Sequence, residues 1–216
     1  MSGSETTSVS GRAQIDSLQI LRAAAASSVL LFHYFLYLYL EFGLFGGNLF
    51  EVGAFGVDLF FVVSGFIICF AGRNEVSPIR FMLKRMSRIV PLYYLLTFCV
   101  FAAALVVPHL LYSTTANAEN LVQSLLFIPY AKENGLVQPL LFLGWTLNYE
   151  MFFYLVFALC MFAGRHRIFV VIGVIVALVT YGKLAAPDSV PVRFFTEGIM
   201  LNFVWGCVVY LVYERA

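Results

Sequence analysis

Apolar residues run almost unbroken through six stretches of this chain, at about 18–40, 53–71, 90–107, 141–163, 168–185 and 197–213, with polar residues gathered between them. Each stretch is near the ~20 residues a helix needs to cross a bilayer. The pattern therefore predicts an all-α, polytopic transmembrane helical bundle of about six spans. Leu121–Tyr130 is also apolar but too short to cross alone, and reads as an interfacial or re-entrant piece. Residues 1–15 are rich in Ser, Thr and Gly and predict a disordered tail ahead of a membrane domain at 16–216. No cleavable signal peptide is visible, because the first apolar run is of spanning length and lacks a small-residue cleavage site at its end.

Composition agrees with the pattern. With 62% hydrophobic and only 12% charged residues, 216 residues cannot pack as one water-soluble domain. A net charge of +1 points to neither nucleic acid nor an acidic partner, and the placement of the charges matters more. With a cytoplasmic N-terminus, the inner segments hold Arg12, Arg22, Arg73, Arg80, Lys84, Arg85, Arg88, Arg165, Arg167 and Arg215, against Lys132, Lys183 and Arg193 outside. The outer segments collect Glu41, Glu51, Glu119, Glu133 and Asp188, and Tyr34, Phe35, Tyr37 and Tyr39 form an aromatic belt at the outer end of the first span. Cys69, Cys99, Cys160 and Cys207 lie in apolar segments without metal-site or disulfide spacing, and read as packing residues.

Against this background the ionisable residues within spans stand out, since they are expensive in lipid and mark functional routes. Arg22 and His33 are eleven positions apart in the first span, which puts both on one helix face about 16 Å apart along the axis. Under the proposed orientation His33 lies in the outer half of the membrane and Arg22 near the inner face. The second span opens with Gly56-Val57-Asp58-Leu59-Phe60-Phe61 and continues through Ser64-Gly65-Phe66. Asp58 either orients the His33 imidazole, as a carboxylate does beside a catalytic histidine, or caps a helix that starts after Gly53 and Gly56. Gly56, Ser64 and Gly65 suit close helix packing.

Between the second and third spans, Arg80-Phe81-Met82-Leu83-Lys84-Arg85-Met86-Ser87-Arg88 carries a compact cationic surface if helical. It suits phosphate groups, or it simply obeys the positive-inside bias and touches anionic lipid. At the outer end of the fourth span, Trp145-Thr146-Leu147-Asn148-Tyr149-Glu150 brings an amide and a carboxylate into the membrane behind an indole. The cluster suits a hydroxylated acceptor, although Trp145 alone would pass as an interface anchor. His109 and His166 lie near span ends and are assigned no function.

These blocks, in this order, resemble the acyltransferase 3 family: Arg22 and His33 with ten residues between them, the 56–66 run, Arg85-Met86-Ser87-Arg88 followed by Ile89 and Pro91, and Trp145 to Glu150 with Phe153-Tyr154. The resemblance implies an integral membrane O-acyltransferase of the bacterial inner membrane. It would transfer an acyl group, usually acetyl, from cytoplasmic acetyl-CoA to a hydroxyl of a cell-surface or exported carbohydrate, without a metal. His33 and Glu150 match the family's essential histidine and acidic residue, and Asp58 joins them as a candidate catalytic group. Arg22, Arg85 and Arg88 would engage the acyl donor, and Trp145 with Asn148 the acceptor. Two departures stand in the motifs. The family's usual Ser-Val-Glu reads Asn148-Tyr149-Glu150, and Ser17 stands where glycine is common, with extra residues before Leu21.

The family domain is longer than this chain, which resembles its N-terminal part, so the domain at 16–216 is expected to be incomplete at its C-terminus. Two other readings compete. One is a transporter or flippase with an Arg22–His33–Asp58 relay, which internal inverted repeats would favour and which none supports. The other is a non-catalytic fragment of the acyltransferase domain.

Overall fold

The computed structural model describes residues 27, 30, 31, 34, 35, 38, 39, 42, 43, 49–107 and 116–215. Arg22, His33 and His109 lie outside the described residues, and with them the paired placement expected of Arg22 and His33. The described positions from Ser27 to Phe42 are helical. That helix closes at Gly43, whose φ of 65° is left-handed and whose amide donates to Tyr39 O at 2.9 Å, the αL stop that glycine permits.

Among the described residues seven further α-helices follow: α1 (Leu49–Gly72), α2 (Pro78–Val106), α3 (Ala118–Leu125), α4 (Trp145–Cys160), α5 (Arg167–Ala185), α6 (Val190–Phe195) and α7 (Leu201–Arg215). Long apolar helical stretches over Phe55–Gly72, Pro78–Val106, Phe142–Ala185 and Val190–Arg215 can each cross a membrane by length and composition. The 44-residue stretch is long enough to cross twice, and it breaks where Gly164 adopts φ 56° and ψ −121°. The protein is a multi-pass, all-helical membrane protein.

The third apolar run begins its helix well before residue 90. The basic stretch expected between the second and third spans forms the first turns of α2, because Ser77 caps the helix by accepting from Arg80 N at 3.3 Å and Pro78 occupies the first turn, where its missing N–H costs nothing. With 29 residues α2 is about 43 Å long, more than a hydrocarbon core requires.

The chain divides into two compact units, residues 1–70 with 202–216 and residues 71–201. In the first, α1 and α7 pack through glycine. A methyl group on Gly65 would meet Phe203 O, and one on Gly206 would meet Val62 O, so the two backbones approach as closely as small residues allow. Phe61 and Phe203 pack at 4.7 Å between ring centroids, and the buried thiols of Cys69 and Cys207 touch at 3.3 Å. Cys160 is buried as expected, whereas Cys99 is exposed on α2.

In the second unit Arg167, opening α5, donates to Gly72 O at 2.9 Å, Arg73 O at 2.7 Å and Glu75 O at 2.9 Å. A guanidinium thus satisfies carbonyls that the end of α1 leaves without helical partners. Glu75 then pairs with Lys84 at 2.7 Å, tying the short connection to the start of α2. The short apolar piece forms a short helix and a turn that pack against α2. Asn117 caps α3, and its far end meets the middle of α2, where Tyr93 donates to Ser124 O at 3.0 Å and Tyr94 to Leu125 O at 2.9 Å. Ser124 Oγ accepts from Leu140 N at 2.9 Å and bonds Tyr130 at 3.2 Å. Irregular backbone at membrane depth persists only where protein groups satisfy it in this way.

Candidate functional site

α4 carries the polar cluster, and its packing decides what the cluster can meet. Gly144 lies against the Tyr93 ring, and Phe81 lies 5.1 Å from Phe157 and 6.5 Å from Tyr154 between ring centroids. α4 therefore runs along the N-terminal half of α2, basic turns included. The expectation set Arg85 at the inner face and Glu150 near the outer end of a span. Instead, one side-chain chain links them.

Glu150 is 1% exposed and accepts the Tyr154 hydroxyl at 2.7 Å. The Tyr154 ring stands edge-on to Phe81, and the Arg85 guanidinium lies over that same Phe81 ring at 5.7 Å. A buried carboxylate thus sits two aromatic rings from a cation, with the tyrosine hydroxyl holding one carboxylate oxygen in place. Such an arrangement orients an acid or base inside a water-poor bundle and holds a guanidinium against an aromatic face. Arg80, Lys84 and Arg88 on the same turns of α2 are exposed. With Arg85 half-buried behind them, they form the cationic surface that helical spacing predicted.

Asn148 and Trp145 occupy the first turn of α4. Trp145 packs edge-on to Tyr149, which stacks on Phe194 at 4.0 Å. Asn148 is 2% exposed, and its Oδ1 accepts no hydrogen bond among the described residues. It lines a cleft of about 350 Å³ with Met82, Met86 and Tyr94 of α2, Leu125–Ile128, Met151, Phe152 and Leu155 of α4, and Phe195. Phe127 in this lining holds a left-handed φ of 56° while stacked on Tyr93 at 4.8 Å. A bulky side chain there is strained, and strain of this kind collects at clamps around ligands.

Asp58 lies in the other unit. Its carboxylate accepts the Asn202 amide of α7 at 2.6 Å. The capping alternative does not hold, because α1 starts at Leu49, more than two turns earlier. The pairing with His33 falls outside the described residues. Sequence reasoning missed Asn202, Phe81 and Tyr154 as site neighbours. Tyr154 was the most legible of them, one turn from Glu150 and therefore on its face. Among the described residues no group of His, Cys, Asp and Glu could hold a metal ion.

A buried carboxylate and amide inside a bundle of membrane-crossing helices define an integral membrane protein with a polar site at membrane depth. Residues 15–214 match the acyltransferase 3 family, described as an acyltransferase domain, and the chain belongs to that family. Exopolysaccharide production protein ExoZ of Rhizobium meliloti (strain 1021) is 40% identical over 166 residues, covering 76% of this chain and 52% of ExoZ. The chain spans about half the length of that relative. No solved structure matches it.

Proposed function

We propose that residues 16–216, behind a short tail, act as a membrane O-acyltransferase domain of the bacterial inner membrane. The acyl group is acetyl, the donor is acetyl-CoA, and the acceptor is a hydroxyl of an exported carbohydrate. Membership of an acyltransferase family supports the reaction class, and the name of the relative, an exopolysaccharide production protein, supports the carbohydrate acceptor. The observation that carries the reading is the linkage of the buried Glu150 through Tyr154 and Phe81 to Arg85.

In this reading Arg85 and Arg88, with Arg22, hold donor phosphates, a task that the planar guanidinium fork suits. The thioester C–S bond breaks and an ester C–O bond forms, with the hydroxyl proton leaving on the CoA thiol. His33 either carries that proton as general base or carries the acyl group first as nucleophile. Glu150 and Asp58 are the carboxylates available to orient groups during transfer, and Trp145 contacts the acceptor.

The test is release of free CoA from acetyl-CoA by the purified chain in lipid, alone and with carbohydrate acceptors. Wild type is expected to release CoA, His33→Ala to abolish release, and Arg85→Ala to raise the donor KM ten- to hundredfold. Release unchanged in both variants would overturn the assignment of these residues. No release from wild type would count against transfer by this chain alone.

A further inference from the structure

Ser124, in the last turn of α3, is fully buried, and its polar atoms are taken up by other segments of the chain. Its hydroxyl accepts the Leu140 N–H at 2.9 Å and shares a hydrogen bond with the Tyr130 hydroxyl at 3.2 Å. Its carbonyl accepts the Tyr93 hydroxyl of α2 at 3.0 Å and the Phe127 N–H at 3.1 Å. Serine suits this place because a small hydroxyl can donate and accept at once, and because a carbonyl in a final helical turn is free for partners outside the helix.

Two routes lead from Ser124 to Trp145. Along the chain, Leu140 is 2% exposed and its N–H is held by Ser124. Gly144 N then donates to Leu141 O at 2.8 Å, and Trp145 N donates to Phe142 O, so the turn between Leu140 and the indole is hydrogen-bonded throughout. Across the bundle, the Tyr93 ring whose hydroxyl Ser124 receives lies against Gly144, where an added methyl group would come within 2.7 Å of it. The residue before Trp145 is thus fixed on one side by the turn and on the other by Tyr93. Removing the serine hydroxyl takes the acceptor from a buried N–H, and the turn must shift to replace it. A shift of about 1 Å is enough to weaken a group that binds by position.

We propose that Ser124 is a positioning residue that, through Leu140 and Tyr93, sets where the Trp145 indole meets the carbohydrate acceptor. The inference rests on the acceptor contact proposed above for Trp145, and it adds a residue that acts only through that contact.

The test joins fluorescence to kinetics in lipid nanodiscs. Trp145 and Trp205 are the two tryptophans of the chain, so in a Trp205→Phe background the emission reports Trp145 alone. Ser124→Ala is expected to move that emission to longer wavelength and to raise its quenching by acrylamide. With cello- and galacto-oligosaccharides as acceptor probes, it should raise the acceptor KM about tenfold and leave the acetyl-CoA KM unchanged. Tyr93→Phe keeps the ring against Gly144 and should give the same changes to a smaller degree, which carries the test if Ser124→Ala does not fold. Tyr210→Phe, which removes a tyrosine hydroxyl bonded to Glu214 at 2.9 Å on α7, should alter neither readout. Trp145 emission unchanged in folded Ser124→Ala and Tyr93→Phe would overturn the proposal and leave the acyltransferase reading standing. A shifted emission with donor and acceptor KM raised alike, or with neither raised, would overturn the acceptor-side role. Absence of transfer by wild type would overturn both readings.

Discussion

Tyr154 donates its hydroxyl proton to Glu150 at 2.7 Å across one turn of α4, and both side chains are buried. The pair converts an ionisable group at membrane depth into an oriented one. Removing the donor leaves a buried acceptor short of a partner. Tyr154→Phe should therefore destabilise the chain by about 1–3 kcal/mol, read as an earlier midpoint when SDS is titrated into mixed micelles. Under the proposed function it should also slow acyl transfer without abolishing it, since Glu150 itself remains. An unchanged midpoint together with unchanged turnover would show that the hydroxyl does not matter.

Asp58 and Asn202 form a second polar pair, between α1 and α7. A hydrogen bond to a charged group is worth about 1.5–3 kcal/mol, so Asn202→Leu should cost about that much. Asp58→Asn in the Asn202→Leu background should cost less than in wild type, because the partner is already gone. A double-mutant cycle on unfolding midpoints measures the coupling, and strict additivity would contradict the contact.

The connection before α2 has an acid-sensitive clasp. Glu75 accepts a hydrogen bond from Lys84, and this holds its carboxyl below the ordinary value of 4.5. A depressed carboxyl pKa stabilises the fold above the unfolded value, and that contribution fades as pH falls through the folded one. The clasp should therefore be intact at neutral pH and lost on acidification below about 4.5. Comparing acid unfolding of wild type with Glu75→Gln checks this, and the variant should lack part of the acid-induced loss. Identical acid limbs would remove the clasp from consideration.

Glycines allow a paired test of helix packing. Gly206 approaches Val62 O across α1 and α7, whereas a side chain at Gly173 on α5 would meet open space. Gly206→Ala should cost about 1–3 kcal/mol through overpacking, while Gly173→Ala should be neutral or stabilising by up to about 1 kcal/mol. Detergent-unfolding midpoints distinguish the two sites, and equal effects would argue against close backbone approach at Gly206.

Much of this was readable in one dimension. Spanning length and hydropathy are local properties, so the sequence alone determined that the chain is helical and membrane-embedded, and put the end of the first run within a few residues of Gly43. Glycine at 65 announced close packing because only a missing side chain permits it. Motif order pointed to the acyltransferase 3 family. Helical spacing also placed Lys84, Arg85 and Arg88 on neighbouring turns once a helix was assumed, and Glu150 and Tyr154 one turn apart.

Only the tertiary structure decided which helices lie against which, and at what height. Hydropathy carries no information about axial offset between two helices. The basic turns of α2 fell outside the third apolar run because charge is averaged over a window, while Ser77 and Pro78 start the helix there. Once Phe81 packs on Tyr154 and Phe157, α4 is drawn down beside those turns, and Arg85 and Glu150 fall into one network. The burial of Asn148 Oδ1 in an apolar cleft, and the capture of Asp58 by Asn202 from the far end of the chain, follow from the same cause. Long-range packing sets the partners of polar groups, and sequence order does not.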